Sequence, residues 1–233
     1  MNHYSRLASA CINNIRSGLA GYKHNPSLDR LQVEDELIWT RQKLIKTYLI
    51  KGNLDIKEIL NSIRCINVDC LPIERCPCGL DPCGDELPHF EIPQIFTDLS
   101  VGSSIYYIGP TDMSDPFLWF TSVTTMKYSI YSRRGQKKAR VFIDTTPNKN
   151  NMFDCFIFNA PLVKQVTVQA VFKDPRQMYE FGCCDDTFET DDITTNMSFL
   201  DRECMDYIIN KYIVYYRQMQ QSQLPNDQSI NRP

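Results

Sequence analysis

The sequence predicts an α+β protein with an N-terminal helical bundle, a small antiparallel β domain and a long C-terminal helix. Two observations predict this class. Apolar residues recur at helical spacing near both ends of the chain, and short runs rich in β-branched and aromatic residues fill the part between them. Because the helical and strand-like segments form separate runs and do not alternate, the pattern favours α+β over α/β.

The first 64 residues are predicted to form three helices. Residues 4–20 form a short helix. Residues 28–50 carry apolar side chains at i, i+3/i+4 and i+7 spacing, which is typical of a helix with one buried face. A third helix begins at Asp55, where Glu58 completes a capping box. Its predicted apolar face comprises Ile56, Ile59, Leu60 and Ile63.

Four further segments follow the helical portion 1–64. Residues 65–89 lack periodicity and contain four prolines and two glycines, so we expect an irregular loop. Residues 90–185 contain short strand-like runs that predict the β domain, and KDPRQMYEF near its end predicts a turn and a short helix. Residues 186–222 are predicted to be an acidic linker and the long helix. Residues 223–233 are polar and are expected to be disordered.

One predicted hairpin in the β domain has a basic tip. The run MKYSIYS–RRGQKK–ARVFIDT reads as two strands joined by a turn. Its tip carries Arg133, Arg134, Lys137 and Lys138, and Tyr128 and Tyr131 lie beside it. Such a tip can contact phosphates or dock onto an acidic partner, whereas the more common role of such residues is a solvated turn.

Charge alternates along the chain. Residues 1–62 contain nine basic and six acidic side chains, and residues 63–110 contain two and seven. Residues 111–180 contain ten and six, and residues 181–233 contain four and nine. Blocks of alternating sign suit docking against other charged surfaces. They do not suit a continuous nucleic-acid groove, which needs a concentrated basic excess.

Five of the ten cysteines fall within the predicted loop, which His89 closes. They are Cys65, Cys70, Cys76, Cys78 and Cys83. Zinc prefers Cys and His in short paired spacings, and the spacings here are irregular. A zinc site, free thiols that pack as small apolar residues, and disulfides formed after release into an oxidising exterior are therefore three open alternatives.

No local motif indicates catalysis. The three histidines, His3, His24 and His89, lie in terminal or loop-like segments, and the chain has no hydrolase, zinc-protease or phosphate-loop signature. The adjacent Cys183 and Cys184 are followed by two aspartates, which oppose thiolate formation. We therefore expect no catalytic residues, no cofactor and no enzyme activity. A hydrolase or thiol enzyme built from distant residues is the least favoured hypothesis.

The last helix is aromatic on more than one face. Its tyrosines are Tyr207, Tyr212, Tyr215 and Tyr216. A helix of this kind is either central in its own bundle or buried against a neighbouring chain, and we favour the second interpretation. The N-terminus has no apolar run of signal-peptide length, and no stretch is apolar enough to span a bilayer. We therefore expect synthesis in the cytoplasm and no membrane partner.

Several segments resemble one family of structural proteins. They are YKHNPSLDRLQVEDELIWTRQKLIKTYLIKGNL, HFEIPQIF, YYIGPTD, VFIDTTPN, CFIFNAP and FKDPRQMYEFGCC. Together, over about residues 22–185, they resemble the head-to-tail ring (connector) proteins of crAss-like tailed bacteriophages. The similarity rests on a string of short segments, with no catalytic signature among them.

The resemblance implies a virion protein that is assembled in the host cytoplasm. It implies a homo-oligomeric ring, a dodecamer matched to the portal, with the portal protein and neighbouring ring or tail proteins as partners. It supplies neither active-site residues nor a metal motif. Closed rings need two different complementary patches per subunit, which the charge blocks can provide. Contact of the basic tip with packaged DNA is a further expectation. The alternative function is a zinc-binding nucleic-acid or regulatory module centred on the cysteine-rich segment.

Overall fold

The computed structural model has helices at both ends of the chain and β-strands between them, which confirms the α+β prediction. The structure describes residues 3–20, 28–51, 59–72, 86–97, 104–130, 138–160, 163–181 and 199–223. The chain divides into two compact units. The helical unit comprises Met1–Thr47 and Thr187–Pro233, and the β unit comprises Tyr48–Asp186.

The elements are as follows. The helices are α1 (His3–Gly18), α2 (Arg30–Lys51), α3 (Val123–Ile130) and α4 (Phe199–Gln223). The strands are β1 (Asn61–Asn67), β2 (Asp69–Pro72), β3 (Glu86–Pro93), β4 (Ile105–Pro110), β5 (Leu118–Phe120), β6 (Arg140–Asp144), β7 (Met152–Phe158) and β8 (Gln165–Ala170). A 3₁₀ helix, Pro175–Phe181, follows β8 and confirms the predicted turn and short helix.

In the helical unit, α1 packs along α4 in a parallel direction. At one end, Nε2 of His3 lies 3.1 Å from Oδ2 of Asp201. At the other end, a Cβ atom added to Gly18 would lie 2.7 Å from Cδ1 of Ile213. The buried residues of α1 recur at helical spacing and include Tyr4, Leu7, Ala8, Cys11, Ile12 and Ile15. This stripe explains why the segment is helical and which face it buries.

Helix α2 completes the helical unit. Asp29 caps its start, because its Oδ1 accepts a hydrogen bond of 3.2 Å from the backbone N–H of Leu31. Glu36 forms an ion pair with Lys211 of α4. The predicted helices 4–20 and 28–50 and the predicted C-terminal helix are therefore confirmed. The bundle brings together both ends of the chain, with α4 packed on α1.

The β unit contains two sheets. A five-stranded sheet has the order β2-β3-β7-β6-β5, and a three-stranded sheet has the order β1-β8-β4. One hydrophobic core holds residues from both sheets, so the sheets pack face to face. Its members include Ile63, Ile66, Phe90, Ile92, Ile108, Val141, Phe153, Val166 and Val168. A smaller cluster of Leu87, Met126, Phe142 and Phe156 covers the other face of the five-stranded sheet.

The predicted hairpin over MKYSIYS–RRGQKK–ARVFIDT is wrong in its first half. Residues 123–130 form helix α3, which Ser122 begins by accepting a hydrogen bond from the N–H of Met126 on its carbonyl. Strands β5 and β6 are parallel, and parallel neighbours need a long crossover connection that a helix can supply. The β unit is therefore mixed and not purely antiparallel. Residues 131–137 lie outside the described part of the chain.

The predicted loop 65–89 is wrong at both of its ends. Residues up to Pro72 lie on β1 and β2, and residues from Glu86 lie on β3. Strand β1 is hard to recognise in the sequence because it contains a bulge. Cys65 has a φ of 56°, and the strand register shifts between Ile63 and Ile66. The two buried isoleucines are therefore three residues apart, which breaks the period of two expected of a strand.

The predicted third helix is also wrong at its end, because Ile63 lies on β1. Residues 52–58, where that helix was predicted to begin, lie outside the described residues. The same holds for most of the acidic linker and for residues 224–233 of the predicted disordered tail. The remaining strand predictions are confirmed by β3 to β8.

Candidate functional site

The described ligands of the proposed zinc site do not converge. Cys65 lies on β1, Cys70 on β2 and His89 on β3. In the register of β2 and β3, His89 faces Asp69 and Cys70 faces Pro88, so Cys70 and His89 point to opposite faces of the sheet. Within the described ranges, no group of three or more His, Cys, Asp or Glu side chains can hold a metal ion. Cys76, Cys78 and Cys83 lie outside these ranges.

His89 instead belongs to a polar network that fastens a turn. Its Nε2 lies 2.9 Å from Oδ1 of Asp154 on β7. Nδ2 of Asn148 donates to the same Asp154 oxygen at 3.1 Å and to Oε1 of Glu91 at 2.9 Å. Oδ1 of Asn148 accepts hydrogen bonds from the backbone N–H groups of Asn150 and Met152. The network holds the turn between β6 and β7 against β3, which is a structural role.

This network could not be predicted from the sequence, since its members on β3 and β7 are far apart in the chain. His89 and Asp154 are 65 positions apart, and only the pairing of β3 with β7 brings them together. No local motif links these positions. A correct pairing of the two strands would have been needed to find the contact.

The buried thiols are poor nucleophiles. Burial, helped by Asp206, raises the pKa of Cys11 from 9.0 to about 12. Burial, helped by Asp201, raises the pKa of Cys204 to about 12 as well. Burial also holds the pKa of Cys155 well above its usual value. The thiolate is the reactive form, so these three positions do not support a thiol enzyme. Cys183 and Cys184 lie outside the described residues.

Most of the predicted basic tip lies outside the described residues. This applies to Arg133, Arg134 and Lys137, and also to Tyr131. Lys138 is exposed just before β6. Tyr128 is on α3 and not on a strand, with 74% of its surface exposed.

Five of the ten exposed large apolar side chains among the described residues lie on α4. In the first half of this helix, Leu200, Cys204 and Ile208 form a buried stripe. The same stripe continues at Tyr215 and Met219, which stay 52% and 41% exposed. Helix α1 ends at Gly18, beside Ile213, so α4 runs on past the end of its parallel partner. The apolar stripe of α4 therefore extends beyond the end of α1, the helix that covers its first half.

We call the exposed apolar residues from Tyr207 onward the distal α4 surface: Tyr207, Val214, Tyr215 and Met219. Two half-buried tyrosines of the same helix, Tyr212 and Tyr216, pack beside this surface. Tyr212 and Tyr216 stack with ring centroids 6.3 Å apart, and Tyr215 meets Tyr216 edge to face at 5.4 Å. The contacts hold the rings in one cluster, which gives the surface a fixed shape.

Few charged side chains accompany the distal α4 surface. Residues 207–223 contain Lys211, which pairs with Glu36, and Arg217, and they contain no carboxylate. Partial burial raises the pKa of Tyr212, and also that of Tyr216. An apolar and aromatic helix face with few charges is the composition found at protein interfaces, where aromatic residues are enriched and charged residues depleted.

Sequence reasoning found part of this surface. It predicted that the four tyrosines of the last helix cover more than one face, and the structure shows Tyr207 and Tyr215 exposed while Tyr212 and Tyr216 are half-buried. It missed Met219 and, on α2, the exposed Trp39. Helical spacing placed these residues on a helix but did not show where the neighbouring helix ends.

Comparison with known proteins identifies no family. No protein-family model matches the chain. No curated protein matches its sequence. None of the described helices is long and apolar enough to cross a membrane.

Proposed function

We propose that the chain is a non-enzymatic structural protein of a tailed-bacteriophage virion. In this proposal it forms an oligomeric ring, a dodecamer, between the portal and the tail and around the DNA channel. Its partners are the portal protein and the neighbouring ring or tail proteins. The protein assembles in the host cytoplasm, and its final location is the portal vertex of the virion. The proposal rests on the resemblance of residues 22–185 to head-to-tail connector proteins and on one structural observation.

That observation is the distal α4 surface. Tyr207, Val214, Tyr215 and Met219 leave 41–52% of their surfaces exposed along one helix. Fully burying side chains of this kind is worth about 1.5–3 kcal/mol each, so leaving several exposed along one helix forgoes substantial stabilisation. Several exposed apolar side chains on one helix of a folded unit favour an interaction surface. An assembly protein needs such a surface.

The charge pattern supports the same proposal. The four segments carry net charges of alternating sign, which in this proposal supply each subunit with patches that differ from one another. A closed ring requires this, because its contacts are head-to-tail and join two different patches. In the same proposal, Lys138 and the other basic residues of segment 133–138 contact an acidic partner or packaged DNA.

The mass of the reduced protein at neutral pH tests the proposal. Native mass spectrometry of the wild type should give a closed oligomer without metal. The variant Tyr215→Ser/Met219→Ser should shift the distribution to lower mass, because it removes the apolar surface. Tyr128→Ser is the matched control, since Tyr128 is even more exposed but lies on α3 in the other unit. It should leave the oligomer unchanged.

Two other results would contradict the ring. A monomer with one stoichiometric zinc ion, lost on chelation, would move the assignment to the zinc-binding module centred on residues 65–89. A metal-free monomer that stays monomeric after mixing with the portal protein would remove the connector function. If Tyr215→Ser/Met219→Ser assembles as the wild type does, the ring forms through another surface.

A further inference from the structure

An open cavity lies in the β unit, where strand β5 ends and helix α3 begins. Its volume is about 290 Å³. Half of the residues that line it are apolar and half bear a hydroxyl group, and none of these described residues is charged. The hydroxyl-bearing residues are Thr97, Ser104, Thr121, Ser122 and Thr125. We call this the α3 cavity.

Helix α3 begins at this cavity. The carbonyl of Ser122 accepts the first hydrogen bond of the helix, from the N–H of Met126, and its side chain accepts a long bond of 3.5 Å from the N–H of Thr125. The N–H groups of Val123 and Thr124 precede these bonds, and no group in the described part of the chain accepts a hydrogen bond from either. Such N–H groups carry the positive end of the helix dipole and bind anions.

The place of the cavity in the fold also suits a ligand. Strand β5 pairs in parallel with β6, and α3 lies in the connection between them. Ligands of α/β units bind outside the carboxyl ends of parallel strands, where the connection to the helix begins. The α3 cavity lies at this end of β5.

A second, independent feature indicates a ligand: the hydroxyl group of Ser104. Ser104 is only 7% exposed and lines the cavity. Among the described residues, none forms a hydrogen bond with this hydroxyl group. The carbonyl of Ser104 accepts a hydrogen bond of 2.8 Å from the N–H of Val171, which fixes the residue in the wall. A buried hydroxyl group without a partner is unfavourable, and a ligand in the cavity supplies that partner.

From these two features we infer that the α3 cavity binds a phosphate group. The N–H groups of Val123 and Thr124 and the hydroxyl of Ser104 donate hydrogen bonds to its oxygens. No carboxylate among the described lining residues repels the anion, and a hard cation would need carboxylate ligands that this lining lacks. The inference goes beyond the proposed function and does not depend on it, since the cavity lies within the β unit.

The fluorescence of Trp119 tests this inference. Trp119 lines the cavity, and Trp39, the other tryptophan of the chain, belongs to the helical unit. In the Trp39→Phe background, titration with inorganic phosphate at constant ionic strength should give a saturable change in emission. Adding Ser104→Ala should weaken binding by about tenfold or more, because one hydrogen bond to a charged group is lost.

Ser129→Ala is the matched control. Ser129 bears a hydroxyl group near the other end of α3, where it donates to the carbonyl of Met126 and does not line the cavity. This variant should bind phosphate as the Trp39→Phe parent does. The absence of a saturable change, the same change with chloride, or equal binding by Ser104→Ala and the parent would overturn the inference. If circular dichroism shows that Ser104→Ala is unfolded, Thr125→Val takes its place, with a loss of binding expected again.

Phenyl phosphate distinguishes the two sources of the phosphate group. Tighter binding than that of inorganic phosphate supports a larger phosphoryl compound, whose ring contacts the aromatic part of the lining at Trp119 and Phe120. Equal or weaker binding supports the free anion. In both cases Ser104→Ala should weaken binding of the probe, and a probe that binds without this dependence contradicts the site.

Discussion

The two units of the protein bury their apolar side chains to different extents. The β unit encloses one continuous core between its sheets, with Phe153, Val168 and Phe172 almost fully buried. The helical unit is smaller, yet it holds seven of the ten exposed large apolar side chains among the described residues. They are Leu31, Trp39, Phe199, Tyr207, Val214, Tyr215 and Met219. Exposure of apolar surface is therefore a local property of the helices and not a general feature of the chain.

Because of this difference, we expect substitutions in the β unit to affect stability and substitutions on the exposed helix faces to affect interaction. A sandwich core that is complete within one copy makes the β unit sensitive to changes in its interior. Helices that leave an apolar stripe exposed make the helical unit tolerant of changes there, unless another chain covers that stripe. The expected effects of substitution below follow from this contrast.

Phe153→Ala should have the largest effect. Phe153 is 1% exposed and lies on β7 in the centre of the sandwich core. Truncation removes buried apolar surface and leaves a cavity, so we expect the free energy of unfolding to fall by about 3–5 kcal/mol. Urea unfolding followed by tryptophan fluorescence measures this, since Trp119 packs against the same core. Tyr128→Ala, at an exposed position, is the control, with an expected change within about 0.5 kcal/mol. Equal effects of the two variants would contradict the described core.

Gly109→Ala should have the next largest effect. A Cβ atom here would lie 2.7 Å from Cζ of Tyr107 and 3.1 Å from the backbone oxygen of Asp115, and it would also meet the Tyr107 hydroxyl. That hydroxyl donates a hydrogen bond of 3.0 Å to the carbonyl of Pro110, so the ring is held in place. Overpacking of this kind costs about 1–3 kcal/mol in free energy of unfolding.

Gly18→Ala is the matched substitution in the helical unit. Its added Cβ meets the flexible end of the Ile213 side chain and no backbone atom. Alanine also favours the helix by up to about 1 kcal/mol over glycine. We therefore expect Gly18→Ala to leave the free energy of unfolding nearly unchanged in the same urea experiment. A loss as large as that from Gly109→Ala would mean that α1 and α4 cannot adjust at their crossing.

The success of sequence reasoning differed between the units in the same way. The stripes of α1, α2 and α4 could be read from the sequence, because a helix pattern depends on neighbours three and four positions away. Strand β1 was missed because the bulge at Cys65 breaks its alternation. Helix α3 was read as a strand because Tyr128 and Ile130 favour strands, while the parallel pairing of β5 with β6, which requires a crossover, depends on distant residues.

The candidate surface could be predicted only in part. Four tyrosines on more than one face of a helix indicated an interface, and that much needs no structure. Which of them are exposed depends on where α1 ends beside Ile213, and this is a tertiary fact.

The thiols of the helical unit predict a loss of stability at alkaline pH. The pKa of Cys11 is raised from 9.0 to about 12 in the folded protein, and the pKa of Cys204 is raised equally. Above pH 9 the unfolded chain releases protons that the folded chain retains, so the free energy of unfolding falls as the pH rises toward 12. The slope is at most about 1.4 kcal/mol per pH unit for each thiol, and below pH 9 the thiols have no effect.

Comparing urea unfolding at pH 8.5 and pH 10.5 for the wild type and for Cys11→Ala isolates one thiol. Cys11 also helps to raise the pKa of Cys204, so the difference between their pH dependences belongs to Cys11 and its effect on Cys204. The variant should lose less stability over this interval than the wild type. Cys70→Ala removes an exposed thiol and should follow the wild type. An identical pH dependence of all three proteins would show that Cys11 ionises as it does in the unfolded chain.

A small effect on stability is also expected where the contrast between the units is sharpest. Tyr215→Ser/Met219→Ser should change the free energy of unfolding of the dissociated subunit by no more than about 0.5 kcal/mol for each residue, because about half of each side chain is exposed there. The same variant is expected to weaken assembly. Measuring unfolding at a protein concentration at which the wild type is monomeric separates the two effects. A loss of several kcal/mol in the monomer would mean that these side chains hold the helical unit together, and the distal α4 surface would then be part of its core.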